Sequence, residues 1–553
     1  MSNYRELLTN LRQAFPQPVS DPVHDAYFVY SISRALDQVD ALKSQAPILG
    51  TPVEPDWEGV RHAQMSDEGQ PLEVVIPKLV RQLEGMFIWG HPRSQVNVVA
   101  PPSIASIIGV LLPATYNPNL VSEEGNRRVA EAEVRVTAMA SDLIGYDPHT
   151  SAGVFTFGGT GAMLYGVKIG LEKAVPNCLH TGLTQPAVVL ASDHSHYCAL
   201  SVAGWLGIGE QNVIAVPTHL NNAIDLSQLE QAARQAIAQG QRIAAFIATM
   251  GTTDAFGLDD LEAIVALRDR LVVECGLDYR PHVHADAVIG WAWSVFRDYD
   301  FEQNPLGFRG RTVRALAAAD YRIRHLGLAD SVGIDFHKTG FVPYISSLLL
   351  VKNGHDFELI ARDRARMPYL YQAGEYHPGK FTLETTRSGM GPLAALANLL
   401  LFGKQGLRTL LGHAVEMAEV LREQLESHPD LAVLNGDNVG PVTLFRVYPH
   451  GVDTFTMPQR ERTDPAYAAQ LAKHNDYNRR IFQRVYAEAL SGRGVALSLT
   501  DCYRRTDYGE PIVALKSYVL SPFADEDRMR SIVRHVLAAR DEEEQSGAHR
   551  VVL

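Results

Sequence analysis

Between about residue 120 and residue 351 the chain alternates short apolar runs with stretches of helical spacing, and no other feature restricts its fold as much. "EEGNRRVAEAEVRVTAMASDLIGY" reads as a helix ending near Gly145. "GVFTF" at 153–157 follows as a strand and runs into "GGTGAMLYGVKIGLEKA", a glycine turn that opens a helix. "AVVLA" at 187–191 and "NVIAV" at 212–216 are the next strands. "DLSQLEQAARQAIAQG" then sets Leu226, Leu229, Ala233, Ala236 and Ile237 at helical spacing and stops at Gly240. Strand "IAAFIAT" at 243–249, helix "LDDLEAIVALRDRLVVECG" and strands "HVHAD" and "SVGID" complete the rhythm. Buried strands separated by helices predict an α/β fold with a mostly parallel sheet, in which reactive groups gather at the carboxyl ends of the strands.

The flanks differ. Residues 1–85 look helical and irregular, a segment suited to packing on a partner subunit, and residues 86–400 carry the sheet as one large domain. From 401 to 553, long helical segments surround "VALSLT" and "PIVALKSYVL", which predicts a smaller C-terminal α+β domain. The stretch 97–116, "NVVAPPSIASIIGVLLPATY", is the most apolar, but Pro101, Pro102 and Pro113 interrupt it, so it reads as buried core or pocket wall rather than a membrane span.

Composition excludes several function classes. A formal net charge of −13 without a basic block argues against nucleic acid and for a small-molecule substrate. Cys178, Cys198, Cys275 and Cys502 are too scattered for a disulfide framework or paired zinc motifs, which fits a reducing, cytoplasmic compartment. The start, "MSNYRELLTNLRQAF", lacks the layout of a secretory signal.

Within this frame one lysine is out of place. Lys338 in "DSVGIDFHKTGFVPYISSLLLV" lies between two apolar runs, where burial lowers a lysine pKa and exposes a nucleophilic amine suited to a Schiff base with a carbonyl. A lone lysine here would read as a side chain snorkelling from a strand end; four other features change that. "FGGTGAM" places Gly158, Gly159, Thr160 and Gly161 at a strand-to-helix junction able to bind a phosphate. "HADA" ends a strand with Asp286, a carboxylate fit for a protonated pyridine nitrogen, and "SDHSH" ends another with His194 and His196, whose imidazoles can stack on a flat ring. "ATMGTTDAFG" adds the hydroxyls of Thr252 and Thr253. A phosphate cradle, a ring stacker, a pyridinium partner and an aldehyde-trapping lysine describe pyridoxal 5′-phosphate.

In these motifs the sequence resembles the group II pyridoxal-phosphate decarboxylases, the family of aromatic-amino-acid, glutamate and bacterial tyrosine decarboxylases. The resemblance covers roughly residues 85–400 and fades toward 530. It implies fold type I, the aspartate aminotransferase-like architecture with a seven-stranded, mostly parallel sheet, and active sites at a homodimer interface. It further implies that Lys338 carries the cofactor covalently, Asp286 pairs with the pyridine nitrogen and His196 stacks on the ring. Gly159, Thr160 and Gly161 would hold the phosphate, with His337 and Thr253 as further cofactor contacts. "YNPNLVSEEGNRRVAEAEVRVTAMASDLIGY" and "KTGFVPY" look most like the bacterial tyrosine decarboxylase branch, which makes Tyr344 a candidate proton-transfer residue. "ARMPYLYQ" is similar to the family's mobile loop, which makes Tyr369 the other candidate. Lys516 in "ALKSYVLSP" stands where the family can have an arginine for the substrate carboxylate; Lys516 and Arg387 are the candidate substrate-binding cations. Val288 in place of a small alanine, and Phe336 in place of proline, suggest a changed pocket.

The resemblance implies α-decarboxylation of an L-amino acid, with an aromatic substrate such as tyrosine favoured. Acidic or aliphatic substrates, an aldehyde-forming outcome and carbon–carbon cleavage on the same cofactor stay open. The segment "WGHPRSQVNVVAPPS", 89–103, is expected to line the pocket. A reading from another class takes His282, His284 and Asp286 of "HVHAD" as zinc ligands, since alternate strand residues share a face.

Overall fold

The computed structural model describes residues 3–368 and 370–551. Seven strands form the main sheet: β1 (Ala152–Thr156), β2 (Ala187–Ser192), β3 (Val213–Val216), β4 (Arg242–Thr249), β5 (His282–Asp286), β6 (Ser331–Asp335) and β7 (Ser347–Val351). Their spatial order is β1-β7-β6-β5-β4-β2-β3, with β7 antiparallel to both its neighbours and all other pairings parallel. β5, β6 and β7 are buried along their whole length, as strands covered on both faces must be.

The helix Gly159–Ala174 lies against the centre of this sheet, and glycine permits the close approach. A Cβ on Gly170 would strike the Ala244 carbonyl, and one on Gly166 would strike the ring of His284. Gly158, at φ +118°, turns the chain from β1 into this helix, a backbone state that favours glycine.

A second sheet joins β8 (Leu431–Val433), β9 (Val442–Val447), β10 (Ser498–Arg505) and β11 (Pro511–Tyr518) in the antiparallel order β10-β11-β9-β8. The long helix Met390–Glu426 links the two parts and breaks at Gly403, whose φ is +53°. Beyond the break Met417, Val420, Leu421 and Leu425 join the core of the second sheet.

The apolar stretch 97–116 departs from expectation. Ser103 caps a helix over Ile104–Tyr116 through the Ser106 amide, and only Ser106, Gly109 and Pro113 are buried. Ile104 is 79% exposed, and Ile107, Ile108, Leu111, Leu112 and Tyr116 also face outward. Gly109 lies against Ala394 of the long helix, so the close approach falls on the small residues and leaves the large apolar ones outside. The helices Asn3–Arg12, Pro22–Asp40 and Leu72–Arg81 likewise expose Leu7, Leu11, Val23, Tyr30, Leu36 and Leu79. Among the described residues no helix is long and apolar enough to cross a membrane.

Candidate active site

Strand alternation and the turns after β5 and β6 bring the expected residues together at the carboxyl edge of the sheet. Lys338 sits on the single helical turn Phe336–Thr339 that follows β6. Its Nζ lies 3.0 Å from Oδ2 of Asp335, the last residue of β6. Asp335 is buried, receives the Ser347 hydroxyl at 2.5 Å, and has Nε2 of His337 at 3.4 Å. Sequence reasoning missed Asp335; the signal was an acid three residues before the lysine at a strand end, the spacing at which one helical turn brings two side chains together.

The charge state of Lys338 corrects the sequence reading. Burial works to discharge the ammonium, but Asp335 and Asp286 outweigh it and hold the pKa above its ordinary value. The amine is therefore charged in this environment, and the neutral nucleophile needs a change in those carboxylates' surroundings.

Asp286 ends β5 and is 6% exposed. Burial raises its carboxyl above the usual range, against the opposing pull of Lys338 and His196. Among the described residues no side chain donates a hydrogen bond to it; the Val288 amide is its hydrogen-bonding neighbour. A buried carboxylate with so little local compensation suits a cationic ring nitrogen. His196, in the turn after β2, stacks on Tyr197 at 4.3 Å, and burial lowers its pKa, so the ring is neutral at physiological pH. His194 instead faces Asn222 Nδ2 at 3.3 Å and Asp193.

The glycine turn adjoins this cluster. A Cβ on Gly159 would lie 2.9 Å from Val288 and 3.0 Å from Asp335 Oδ2, so the start of the helix touches both strand ends. Gly161 packs on Thr156, and Gly158 opens onto free space. Thr160, at the exposed start of the helix, turns its hydroxyl toward Cys198. The amides of Gly159 and Thr160 occupy the first turn, where helical N–H groups have no partner within the helix, whereas the Gly161 amide donates to the Gly158 carbonyl at 2.8 Å. These residues fit pyridoxal phosphate: a lysine, a buried acceptor for the ring nitrogen, a flat neutral imidazole and an anion-binding turn share one strand edge.

Other expected residues have different surroundings. His337 is buried, with Nδ1 3.1 Å from the Ser346 carbonyl, and its ring packs 4.3 Å from that of Tyr344, which is 57% exposed. Thr252 accepts the Gly257 amide at 2.8 Å and closes its own loop, whereas Thr253 is exposed. Lys516 donates to Asp254 at 2.6 Å, which ties β11 to the loop after β4. Arg387 forms a buried ion pair with Glu133 and donates to the carbonyls of Leu120 and Phe155. Both candidate substrate cations are thus held by carboxylates of the chain itself. Tyr369 lies outside the described residues. His282 and His284 each hydrogen-bond the Ser331 hydroxyl at 2.8 Å, which occupies the nitrogens a metal would need; among the described residues no group of three or more His, Cys, Asp or Glu side chains is placed to hold a metal.

Segment 89–103 also differs from expectation. Its Gln95 bonds Ser517, the Asn97 amide donates to Ser498 at 3.1 Å, and Ser103 caps the helix Ile104–Tyr116, so the segment ties that helix to the second sheet. The pocket beside the lysine turn, about 390 Å³, is lined by Val110, Phe155, Phe157, Tyr344, Glu384 and Met390 among others.

Comparison with known proteins decides the family. Residues 60–448 match the pyridoxal-dependent decarboxylase conserved domain. The chain belongs to the pyridoxal-dependent decarboxylases. It is therefore a carboxy-lyase acting on an amino acid, with pyridoxal phosphate as cofactor. This decarboxylase is 22% identical over 493 residues to an L-2,4-diaminobutyrate decarboxylase of Acinetobacter baumannii, covering 86% of this chain and 85% of that protein. It is 26% identical over 279 residues to an L-tyrosine decarboxylase of Enterococcus faecium, covering 44% of each. In structure it resembles the glutamate decarboxylase domain of a diaminobutyrate-pyruvate transaminase and L-2,4-diaminobutyrate decarboxylase from Vibrio parahaemolyticus, with a TM-score of 0.74, 18% identity and coverage of 97% of this chain and 99% of that one. The fold is that of fold type I enzymes.

Proposed function

We propose that the enzyme removes the α-carboxylate of an aromatic L-amino acid such as tyrosine, releasing CO2 and the amine. The observation that carries the substrate reading is the pocket beside the lysine turn. Its walls include Phe155, Phe157, Tyr344, Ile345 and Met390, flat or flexible apolar groups that suit a ring, while Glu384, one of whose oxygens accepts from the Tyr165 hydroxyl, has a second oxygen to offer a phenol.

When bound, pyridoxal phosphate supplies an aldehyde carbon and an electron-accepting ring. Lys338 would hold it through its amine, which Asp335 orients at 3.0 Å. Asp286 would face the pyridine nitrogen and favour its protonated form, and its burial would make that ion pair strong. His196 would cover one ring face. The glycine turn of Gly159, Thr160 and Gly161 would hold the phosphate, with the first two amides free to donate, His337 backs the lysine turn from its seat against Ser346, and Thr253 would contact a ring substituent. Tyr344, beside His337, delivers a proton to the substrate Cα; Tyr369 is the alternative donor. Lys516 or Arg387 would reach a substrate carboxylate only on leaving Asp254 or Glu133.

The proposal includes a cytoplasmic homodimer. The outward apolar face of Ile104–Tyr116 and the exposed leucines of residues 1–85 form a surface that soluble monomers rarely present, and a second subunit would cover it. Light scattering should give twice the chain mass, and Ile108→Asp with Leu112→Asp should reduce it.

The substrate test is a panel of L-tyrosine, L-phenylalanine, L-tryptophan, L-aspartate, L-glutamate and L-2,4-diaminobutyrate, with CO2, amine and aldehyde measured together. A kcat/KM at least about tenfold higher for an aromatic substrate supports the reading. Preference for diaminobutyrate, which the A. baumannii relative favours as a second reading, or for an acidic substrate would overturn it. Aldehyde as the main product would overturn the simple decarboxylation outcome.

A further inference from the structure

Beneath the strand ends lies a hydrogen-bonded chain that the functions above leave unused. Lys173 pairs with Asp356 at 2.5 Å and stands 3.4 Å from Nδ1 of His282. Nε2 of His282 lies 2.8 Å from the Ser331 hydroxyl, and the same hydroxyl lies 2.8 Å from Nδ1 of His284. His282, His284 and Ser331 are all buried, and Gly166 and Gly170 of the covering helix make room for them.

Donor counting fixes every proton in this chain. An ammonium has donors only, so Nδ1 of His282 is the acceptor and its Nε2 carries the hydrogen. That hydrogen is donated to Ser331, whose single O–H is then directed to Nδ1 of His284. His284 is left as the Nε2–H tautomer. Burial lowers both histidine pKa values, to about 3 for His282 and about 4 for His284, so neither gains a second proton at neutral pH.

The remaining donor points toward the cofactor site. His284 and Asp286 share a face of β5, and Gly333 of β6 is the register partner of Asp286. A Cβ on Gly333 would lie 3.6 Å from Nε2 of His284 and 3.6 Å from Val288. His284 is 1% exposed, and among the described residues its Nε2–H has no hydrogen-bond partner. Nε2 of His284 thus lies beside Gly333, level with Asp286 along the sheet, where a donor and a carboxylate that no side chain satisfies are placed to couple.

We propose that His284 is a positioning residue for the cofactor: its Nε2–H, oriented by Ser331 and His282, acts on Asp286 directly or through one water and holds that carboxylate toward the pyridine nitrogen. Lys173 and Asp356 set the direction of the chain from its outer end. The surrounding charges are Asp330, Lys173 and Arg268 near His282, and Lys338, His196 and Asp335 near Asp286. The inference rests on the family's cofactor and not on the choice of substrate.

The test uses full-length protein freed of cofactor and titrated with pyridoxal phosphate by fluorescence, with His284→Leu, His284→Gln and Ser331→Ala compared. His284→Leu should weaken cofactor binding about tenfold, the scale on which outer-shell partners act on the ligands they support. It should also shift the pH midpoint of the bound cofactor's visible absorption band. His284→Gln, which keeps a donor, should restore most of the affinity and the midpoint, and Ser331→Ala should move both in the same direction as leucine but less. Melting temperatures of the cofactor-free variants report any folding defect separately. Unchanged affinity and midpoint in His284→Leu would overturn the proposal, as would equal losses in the leucine and glutamine variants. Failure of the wild-type protein to bind pyridoxal phosphate would instead strike the cofactor assignment.

Discussion

Glu133 and Asp286 are both carboxylates buried in the large domain, and they are treated in opposite ways. Glu133 is fully buried and accepts from Arg387, from the Phe155 amide at 2.9 Å and from the Tyr376 hydroxyl at 3.0 Å. Asp286 has no side-chain donor among the described residues and a raised pKa caused chiefly by burial. A carboxylate whose acceptors are filled from within belongs to the architecture; one left short of donors at a strand end belongs to a ligand. The same contrast separates Arg387, paired with a distant buried carboxylate, from Lys338, whose partner Asp335 ends the strand just before the lysine turn.

The largest expected effect falls on the ligand side of that contrast. Lys338→Ala should lower turnover by about 10³-fold or more, as loss of a reacting group does, while the melting temperature of the cofactor-free protein stays near wild type. A variant that melts early would show that the lysine is structural. On the architectural side, Arg387→Ala strands Glu133 in the core and should cost roughly 3–5 kcal/mol in urea unfolding. If Arg387→Ala left stability unchanged and raised only KM, the arginine would be a substrate ligand and the contrast would fail there.

Asp286→Asn should sharpen the comparison. It removes a buried charge, so the cofactor-free protein should be no less stable, while pyridoxal phosphate binding weakens by about tenfold, roughly 1.4 kcal/mol. Loss of stability with unchanged cofactor affinity would place Asp286 with Glu133.

The smallest effect concerns pH. Asp259 is buried beneath the loop after β4, and burial pushes its carboxyl up to about 7 despite hydrogen bonds from the Ile224 and Thr249 amides. The folded state therefore binds a proton that the unfolded chain, titrating near its ordinary 3.8, has already released. This contribution is complete at low pH and is lost as pH rises from about 4 to about 7. Unfolding free energies across that window should slope downward for wild type and less so for Asp259→Asn; equal slopes would contradict the assignment.

Much of this was legible before any coordinates. The alternation from 120 to 351 gave the sheet because strands buried on both faces must be apolar throughout. Lys338, Asp286 and His196 could be found because each is a polar group at the end of such a strand. Asp335 escaped notice because its meaning depends on the turn that sets it 3.0 Å from Lys338. From sequence alone Lys516 and Arg387 are candidate substrate-binding cations, because their partners, Asp254 and Glu133, lie 262 and 254 residues away in the chain. The helix Ile104–Tyr116 was expected inside because apolarity alone does not say which surface covers a side chain. The tautomer chain through Ser331 depends on Gly166 and Gly170 of a helix separated from β5 by three strands in sequence, and periodicity carries no trace of it.

The most direct test of the account is borohydride reduction of the purified holoenzyme followed by peptide mass mapping. Pyridoxyl label on Lys338 alone, with loss of the visible absorption band, is the result the structure predicts. Label on another lysine, or a visible band that borohydride leaves untouched, would contradict the assignment of Lys338 and of the strand-end cluster built around it.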